Sequence, residues 1–217
     1  MSEISVNHHA GDGDEEMERA LRAALRSGAG AGDTAPPSII DAAETAGLLD
    51  VAYARLDSPV GTLVLASTPQ GLARLAYVDE GQEEAVMEDI AARLSPRMLS
   101  APGRLDAPRR ELDEYFAGRR RAFDLPLDLS LLSDFTRRVL SATAAIPYGE
   151  VATYKEVASA AGSPRGFRAA GNALGSNPLP IVLPCHRVLH SGGGLGGYTG
   201  GLARKRTLLA IERGPGE

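Results

Sequence analysis

Tryptophan is absent from this sequence of 217 residues, and all aromatic residues together make up only 5% of it. There is one cysteine, Cys185. A single thiol excludes an intrachain disulfide and a cysteine-rich zinc site. No apolar run approaches the ~18 residues that a membrane-spanning helix requires, so no membrane association is expected. The opening residues, MSEISVNHHAGDGDEEMERA, have neither the basic start nor the apolar stretch of a secretory signal. A soluble, cytoplasmic protein is the expectation that remains. What is present is ordinary for a globular chain: 43% hydrophobic and 24% charged residues, enough to build the core of one large or two small domains.

Cations are outnumbered, 23 Lys and Arg against 28 Asp and Glu, for a net charge of -5. That excludes a uniformly basic coat for nucleic acid but not a local basic face. The deficit is uneven. Residues 1–132 hold 13 cations and 23 anions, and residues 133–217 hold 10 and 5. An acidic first part followed by a basic second part points to an anionic partner for the second.

Three segments are expected: an acidic, partly mobile extension over 1–50, an α+β domain over 51–130 and a helical domain over 131–214. In the extension, Met17, Leu21 and Leu25 recur at helical spacing, GAGAGDTAPP (28–37) reads as a linker, and SIIDAAETAGLL (38–49) reads as a helix capped by Ser38. VAYARL, TLVLAS and LARLAYV, separated by Asp-Ser-Pro-Val-Gly and Thr-Pro-Gln-Gly turns, read as a three-stranded meander. Helices are predicted over 83–94 and over 109–118, the latter stopped by Gly118, with an extended stretch after it. From 133 the pattern is helical: 133–146, 153–162 capped by Thr153, and 164–177 with Pro164 at its first position. The last two, joined by a Gly-containing turn, form a helix-turn-helix pattern.

IVLPCHRV (181–188) carries the chemistry. An apolar run reads as a buried strand that ends at Pro184, where the chain leaves the core. Cys185 then sits beside His186 and Arg187, groups that lower a thiol pKa from its free value of about 8.5 and so favour the reactive thiolate. A buried, inert cysteine is the alternative. A Cys-His hydrolase is another, with Glu212 orienting His186, although no oxyanion hole is evident. Redox chemistry lacks a resolving cysteine. His190, beside a glycine cluster, is expected to be exposed.

SPVGTL, IPYGEVATYKEVA, SPRGFRAAGNALGSNPLPIVLPCHRV and GGYTGGLARKRTLLAIERG, spread over about 51–214, resemble the O6-alkylguanine-DNA alkyltransferases (methylated-DNA–protein-cysteine methyltransferases). The resemblance implies an α+β fold. A small antiparallel-sheet, ribonuclease H-like domain would precede a helical domain with a winged-helix-like helix-turn-helix. It implies a DNA repair protein that flips O6-alkylguanine out of the duplex and moves the alkyl group irreversibly to Cys185. It implies double-stranded DNA approached through the minor groove as partner, a monomer, and no cofactor or metal. By the same resemblance His186 takes the thiol proton through a water, Glu212 orients it, Asn177 holds the turn before the nucleophile, and Tyr154 donates to the departing guanine. Arg168 fills the vacated gap in the duplex. The carbonyls of Cys185 and Val188 accept from the exocyclic amine, the Thr199 N–H faces O6, and Tyr198 walls the pocket.

These roles fit the chemistry. Flipping a base costs a few kcal/mol, and a planar cation offsets part of that. The small residues Ala169, Ala170, Gly171 and Ala173 slim one side of the second helix for close approach to the groove, or else serve helix packing. Seven glycines between Ser191 and Gly201 are too irregular for a phosphate-binding fingerprint and read as a loop folding over the base pocket, or as a plain turn. Zinc ligands or a second acceptor cysteine, found in some members, have no counterpart here: the remaining candidates, His8 and His9, lie in the extension. A lesion-binding protein without transfer is a further alternative, but those relatives replace the acceptor cysteine.

Overall fold

The computed structural model describes residues 37–214. The helix expected around Met17, Leu21 and Leu25, most of the linker, and His8 and His9 lie outside the described residues. Helix α1 (Pro37–Thr45) begins at Pro37, one residue before Ser38. Proline suits a first helical position because its missing N–H would have no partner there. Ile40 and Ala43 of α1 are buried in the main core.

Strands β1 (Val51–Leu56), β2 (Thr62–Thr68) and β3 (Gly71–Val78) form the expected antiparallel meander. Its turns follow from local chemistry. Gly61 adopts φ +97°, and Ser58 Oγ donates to Gly61 O at 2.6 Å. Gly71 (φ +138°) has a second constraint: a Cβ there would lie 2.3 Å from Pro126 O. Glycine thus lets the extended stretch near Pro126 lie against β3, where Leu72 N donates to Pro126 O and Asp128 N to Leu72 O. Period-two alternation sends Val64 and Ala66 to one face and Leu63 and Leu65 to the other. The first face packs on Ile90 of helix α2 (Glu83–Arg93), the second on Leu112 and Tyr115 of helix α3 (Asp106–Phe116). A fourth strand, β4 (Met98–Ser100), was not expected; it pairs parallel to β1 and gives the order β3-β2-β1-β4.

The second half is helical. Helix α4 (Asp134–Ala144) is capped by Ser133, which accepts from Thr136 N. A short strand β5 (Ala152–Thr153) leads into helix α5 (Tyr154–Ala160), whose start is a full capping box between Thr153 and Glu156. Helix α6 (Phe167–Gly175) starts later than expected, so Pro164 lies in the preceding turn. Ile181–Leu183 is not a strand: the segment runs as turns into a single 3₁₀ turn, Cys185–Arg187, and only then pairs as β6 (Val188–Leu189) with β5. Nor does the chain leave the core at Pro184, since Leu179 to Val188 are all buried. Helix α7 (Gly201–Arg213) closes the described chain. The two halves meet directly: Leu75 N of β3 donates to Pro178 O in the turn before Cys185. The architecture is mixed α+β, a small sheet domain followed by a helical one. Among the described residues no helix is long and apolar enough to cross a membrane.

Candidate active site around Cys185

Prolines at 178, 180 and 184 remove donors and fix φ, so Asn177–Cys185 cannot join a sheet. Asn177 supplies the missing bonds. Its Nδ2 donates to Leu183 O at 2.7 Å and to Cys185 Sγ at 3.2 Å, and its Oδ1 accepts from Leu179 N at 3.0 Å. Ile181, 0% exposed, has φ +76°, a conformation that costs a β-branched residue about 1–3 kcal/mol and persists only where packing holds it. Replacing Asn177 by alanine leaves Leu179 N buried without its partner and Leu183 O with only the Cys185 amide. We expect a loss of about 2 kcal/mol in denaturant unfolding, with slower alkylation of Cys185. Unfolding and alkylation both matching wild type would refute the clamp.

Cys185 is 5% exposed. Burial pushes its thiol up to about 11, against the opposing pull of the Asn177 amide and the Lys205 ammonium. His186 and Arg187 do not activate it as expected, because the 3₁₀ turn carries both side chains away to Glu212. The nearby cation is Lys205, which sequence reasoning missed. It is 0% exposed, donates to Val188 O at 2.6 Å and to Leu195 O, and is lowered to about 8 by burial. A signal was available: Lys205, Leu208, Leu209 and Glu212 share one helical stripe, and all four are buried.

Glu212 organises the other side. It accepts from His186 Nε2 at 2.7 Å, Tyr115 Oη at 2.7 Å, Arg187 Nε and Nη2 at 2.9 and 3.0 Å, and Gly149 N at 3.2 Å. Burial alone would raise its pKa, but the bonds from His186 and Arg187 outweigh it and bring the carboxyl to about 2. Burial lowers the pKa of His186 despite Glu212. The ring is therefore neutral, and since an ionised carboxylate only accepts, Nε2 carries the proton. Nδ1 is left with a free lone pair. It is buried and has no partner among the described residues, an arrangement suited to a base.

Cys185 lines a cavity of about 310 Å³ together with Tyr154, Gly171, Tyr198 and Thr199. Tyr154 opens α5, and a Cβ on Gly196 would come within 2.7 Å of its hydroxyl. Thr199 Oγ1 donates to Gly175 O at 3.0 Å. Val188 O already accepts from Lys205, leaving one lone pair for another donor. On α6, Arg168 is exposed, its guanidinium 5.8 Å from the Phe167 ring centroid. The slim-face reading of α6 needs correcting. Ala170 and Ala173 are buried and pack within the helical half, so they offer no surface; Ala169 and Gly171 remain accessible. His190 is exposed.

The sheet half, the helical half and a buried thiol followed in the chain by a carboxylate-held imidazole define a class: an α+β protein that presents one cysteine to a small cavity. Comparison with known proteins makes this particular. Residues 51–129 match the 6-O-methylguanine DNA methyltransferase, ribonuclease-like domain, and residues 134–214 match the 6-O-methylguanine DNA methyltransferase, DNA binding domain. A methylated-DNA–protein-cysteine methyltransferase of Mycolicibacterium paratuberculosis is 44% identical over 163 residues, 75% of this chain and 93% of the relative. The crystal structure of Mycobacterium tuberculosis O6-methylguanine methyltransferase is 39% identical with a TM-score of 0.65, over 75% of this chain and 93% of that one. A structure of Mycobacterium tuberculosis OGT in complex with DNA is 37% identical with a TM-score of 0.63 over the same shares. The chain belongs to the 6-O-methylguanine DNA methyltransferase family.

Proposed function

We propose that Cys185 is the acceptor in a single-turnover repair reaction on O6-alkylguanine in duplex DNA. Family membership carries the class of activity, DNA repair by transfer of an alkyl group to a protein cysteine. Cys185 is the chain's only cysteine. The observation that supports the residue is the thiol in the cavity wall, followed in the chain by a neutral His186 whose Nε2 is held by Glu212 and whose Nδ1 is free.

The step balances as an in-line displacement. His186 Nδ1 takes the thiol proton through a water, and the sulfur attacks the alkyl carbon. The C–O6 bond breaks with its electron pair going to guanine, and a proton returns to the base. The products are a thioether and unmodified guanine. Tyr154 and the Thr199 N–H meet the charge that develops on the leaving base. Charge in the site rests on Glu212, Arg187 and Lys205, which act through His186, the Cys185 turn and the loop beyond it.

We further propose that the protein acts in the cytoplasm as a monomer, that its two functional domains divide near residue 130, and that α5 and α6 form a helix-turn-helix set against the minor groove. Arg168 then enters the space left by the flipped base. Arg168→Ala should slow transfer from duplex DNA about tenfold, since it forfeits part of the few kcal/mol that flipping costs. Affinity for undamaged duplex should fall far less. Equal losses in both measurements mean a phosphate contact and no more.

The deciding experiment is peptide mass after reaction with duplex DNA containing O6-methylguanine. One methyl group on the Cys185 peptide, at one equivalent per protein, is the expected result. An unshifted peptide from folded protein rejects the proposal, and many turnovers per molecule would restore the hydrolase.

A further inference from the structure

The glycine-rich stretch between His190 and Gly201 forms one wall of the Cys185 cavity through Gly197, Tyr198 and Thr199. So many glycines leave few side chains to fix its position. One of the groups that fixes it comes from the other half of the molecule. Tyr77, on β3, shares a 2.6 Å hydrogen bond between its hydroxyl and that of Tyr198. The two rings meet edge to face at 6.1 Å. Between them lies the backbone of Gly200, where a Cβ would come 2.5 Å from the Tyr77 ring and 2.9 Å from the Tyr198 ring.

Tyr77 is itself immobilised. The Arg204 guanidinium lies 4.7 Å from its ring centroid. That guanidinium is anchored on both halves, by Val60 O at 2.8 Å and Asp79 on one side and by Gly200 O at 3.2 Å on the other. Tyr198 in turn stands perpendicular to the His186 ring at 6.5 Å. A chain of fixed groups thus runs from the sheet to the cavity wall.

We propose that Tyr77 is a specificity-determining residue. By holding Tyr198 in place from the sheet half, it sets the width of the alkyl-accepting cavity and disfavours bulky alkyl groups relative to methyl. This rests on Cys185 being the acceptor. It also gives the sheet domain a part in substrate selection, although that domain supplies none of the groups assigned to the displacement itself. The wall is stiff in the direction that matters: a larger alkyl group must displace the Tyr198 ring, and doing so breaks the Tyr77 bond.

The test compares transfer of methyl and of benzyl from O6-substituted guanine in the same duplex. Tyr77→Phe keeps the ring beneath Arg204 and removes only the hydroxyl. The benzyl-to-methyl ratio of rate constants should rise about fivefold, the worth of one net hydrogen bond of ~1 kcal/mol. Tyr198→Phe breaks the same bond from the other side, so the double variant should show the ratio of Tyr77→Phe rather than the product of two effects. A ratio unchanged in Tyr77→Phe overturns the proposal, as does a parallel fall of both rates, which marks a purely structural residue. In either case wild-type transfer to Cys185 still stands on its own. Wild-type protein that accepts neither group overturns the acceptor assignment and this inference with it.

Discussion

Glu212→Gln is expected to lose about 3–5 kcal/mol of folding stability, the usual consequence of removing one partner from a buried ion pair. The carboxylate accepts from five groups at once: His186, Tyr115, both Arg187 nitrogens and the Gly149 amide. The amide side chain keeps the shape but has one acceptor oxygen where the carboxylate has two, and it leaves the buried Arg187 charge uncompensated. Transfer should fall by about a hundredfold or more, the usual contribution of a positioned general base, because His186 Nε2 loses its ionised acceptor and Nδ1 its basicity. Acid titration separates the two forms. Glu212 sits at about 2 in the folded protein, below its ordinary value, so the unfolded chain binds more protons between the two. The stability it contributes, on the order of 3 kcal/mol, is present above about pH 4.5 and is lost as pH falls toward 2. The variant lacks that component, so its stability should decline less steeply over the interval. Equal acid slopes in urea unfolding of the two proteins would show that Glu212 is not the coupled group.

Much of this molecule is legible in its sequence wherever the determinants are local. The meander follows from alternation and from turn residues whose conformations are fixed, Gly61 above all. The starts of α4 and α5 follow from Ser133 and from the Thr153–Glu156 box, since a side-chain oxygen two or three residues from an orphan amide needs no tertiary context. The failures are cases where one pattern has two solutions. Ile181-Val182-Leu183 is as good a buried turn as a buried strand; the prolines at 178, 180 and 184 were the signal that decides, because each removes a ladder donor. Strand β4 has three residues and exists only because β1 lies beside it. At the site, sequence adjacency misleads. Cys185, His186 and Arg187 are neighbours in the chain, yet the 3₁₀ turn takes the side chains of His186 and Arg187 together to Glu212, and the cation that acts on the thiol comes from position 205. Small residues on α6 looked alike in sequence, but helical period buries Ala170 and Ala173 and leaves Ala169 and Gly171 accessible. Tyr77 could not be found at all from sequence, because nothing local ties a strand tyrosine to a loop 121 residues later.

Lys205→Met should reduce transfer about a hundredfold near neutral pH. The Lys205 charge favours the thiolate, and a unit charge within about 6 Å, at an effective dielectric of ~20, is worth roughly 3 kcal/mol. The thiol, held at about 11 by burial, is mostly protonated at pH 7; beside the proton transfer to His186, ionisation to solvent adds thiolate, and so rate, as pH rises. In wild type that rise should flatten above about pH 8, where Lys205 loses its proton and its field with it. The methionine variant should start lower and climb without the break. Stability discriminates a second time. Lys205 is depressed in the folded protein, so the unfolded chain binds more protons from about pH 8 to 10.5 and stability gains with pH across that window. Cys185 is raised, so the folded chain binds more protons between about 9 and 11 and stability falls there. In wild type the two oppose each other where they overlap. In Lys205→Met only the thiol remains, and the variant should lose stability from pH 9 upward while wild type holds nearly level. Rate profiles of the same shape, together with parallel stability curves, would remove Lys205 from the account of thiol reactivity and leave it as a donor to Val188 and Leu195 alone.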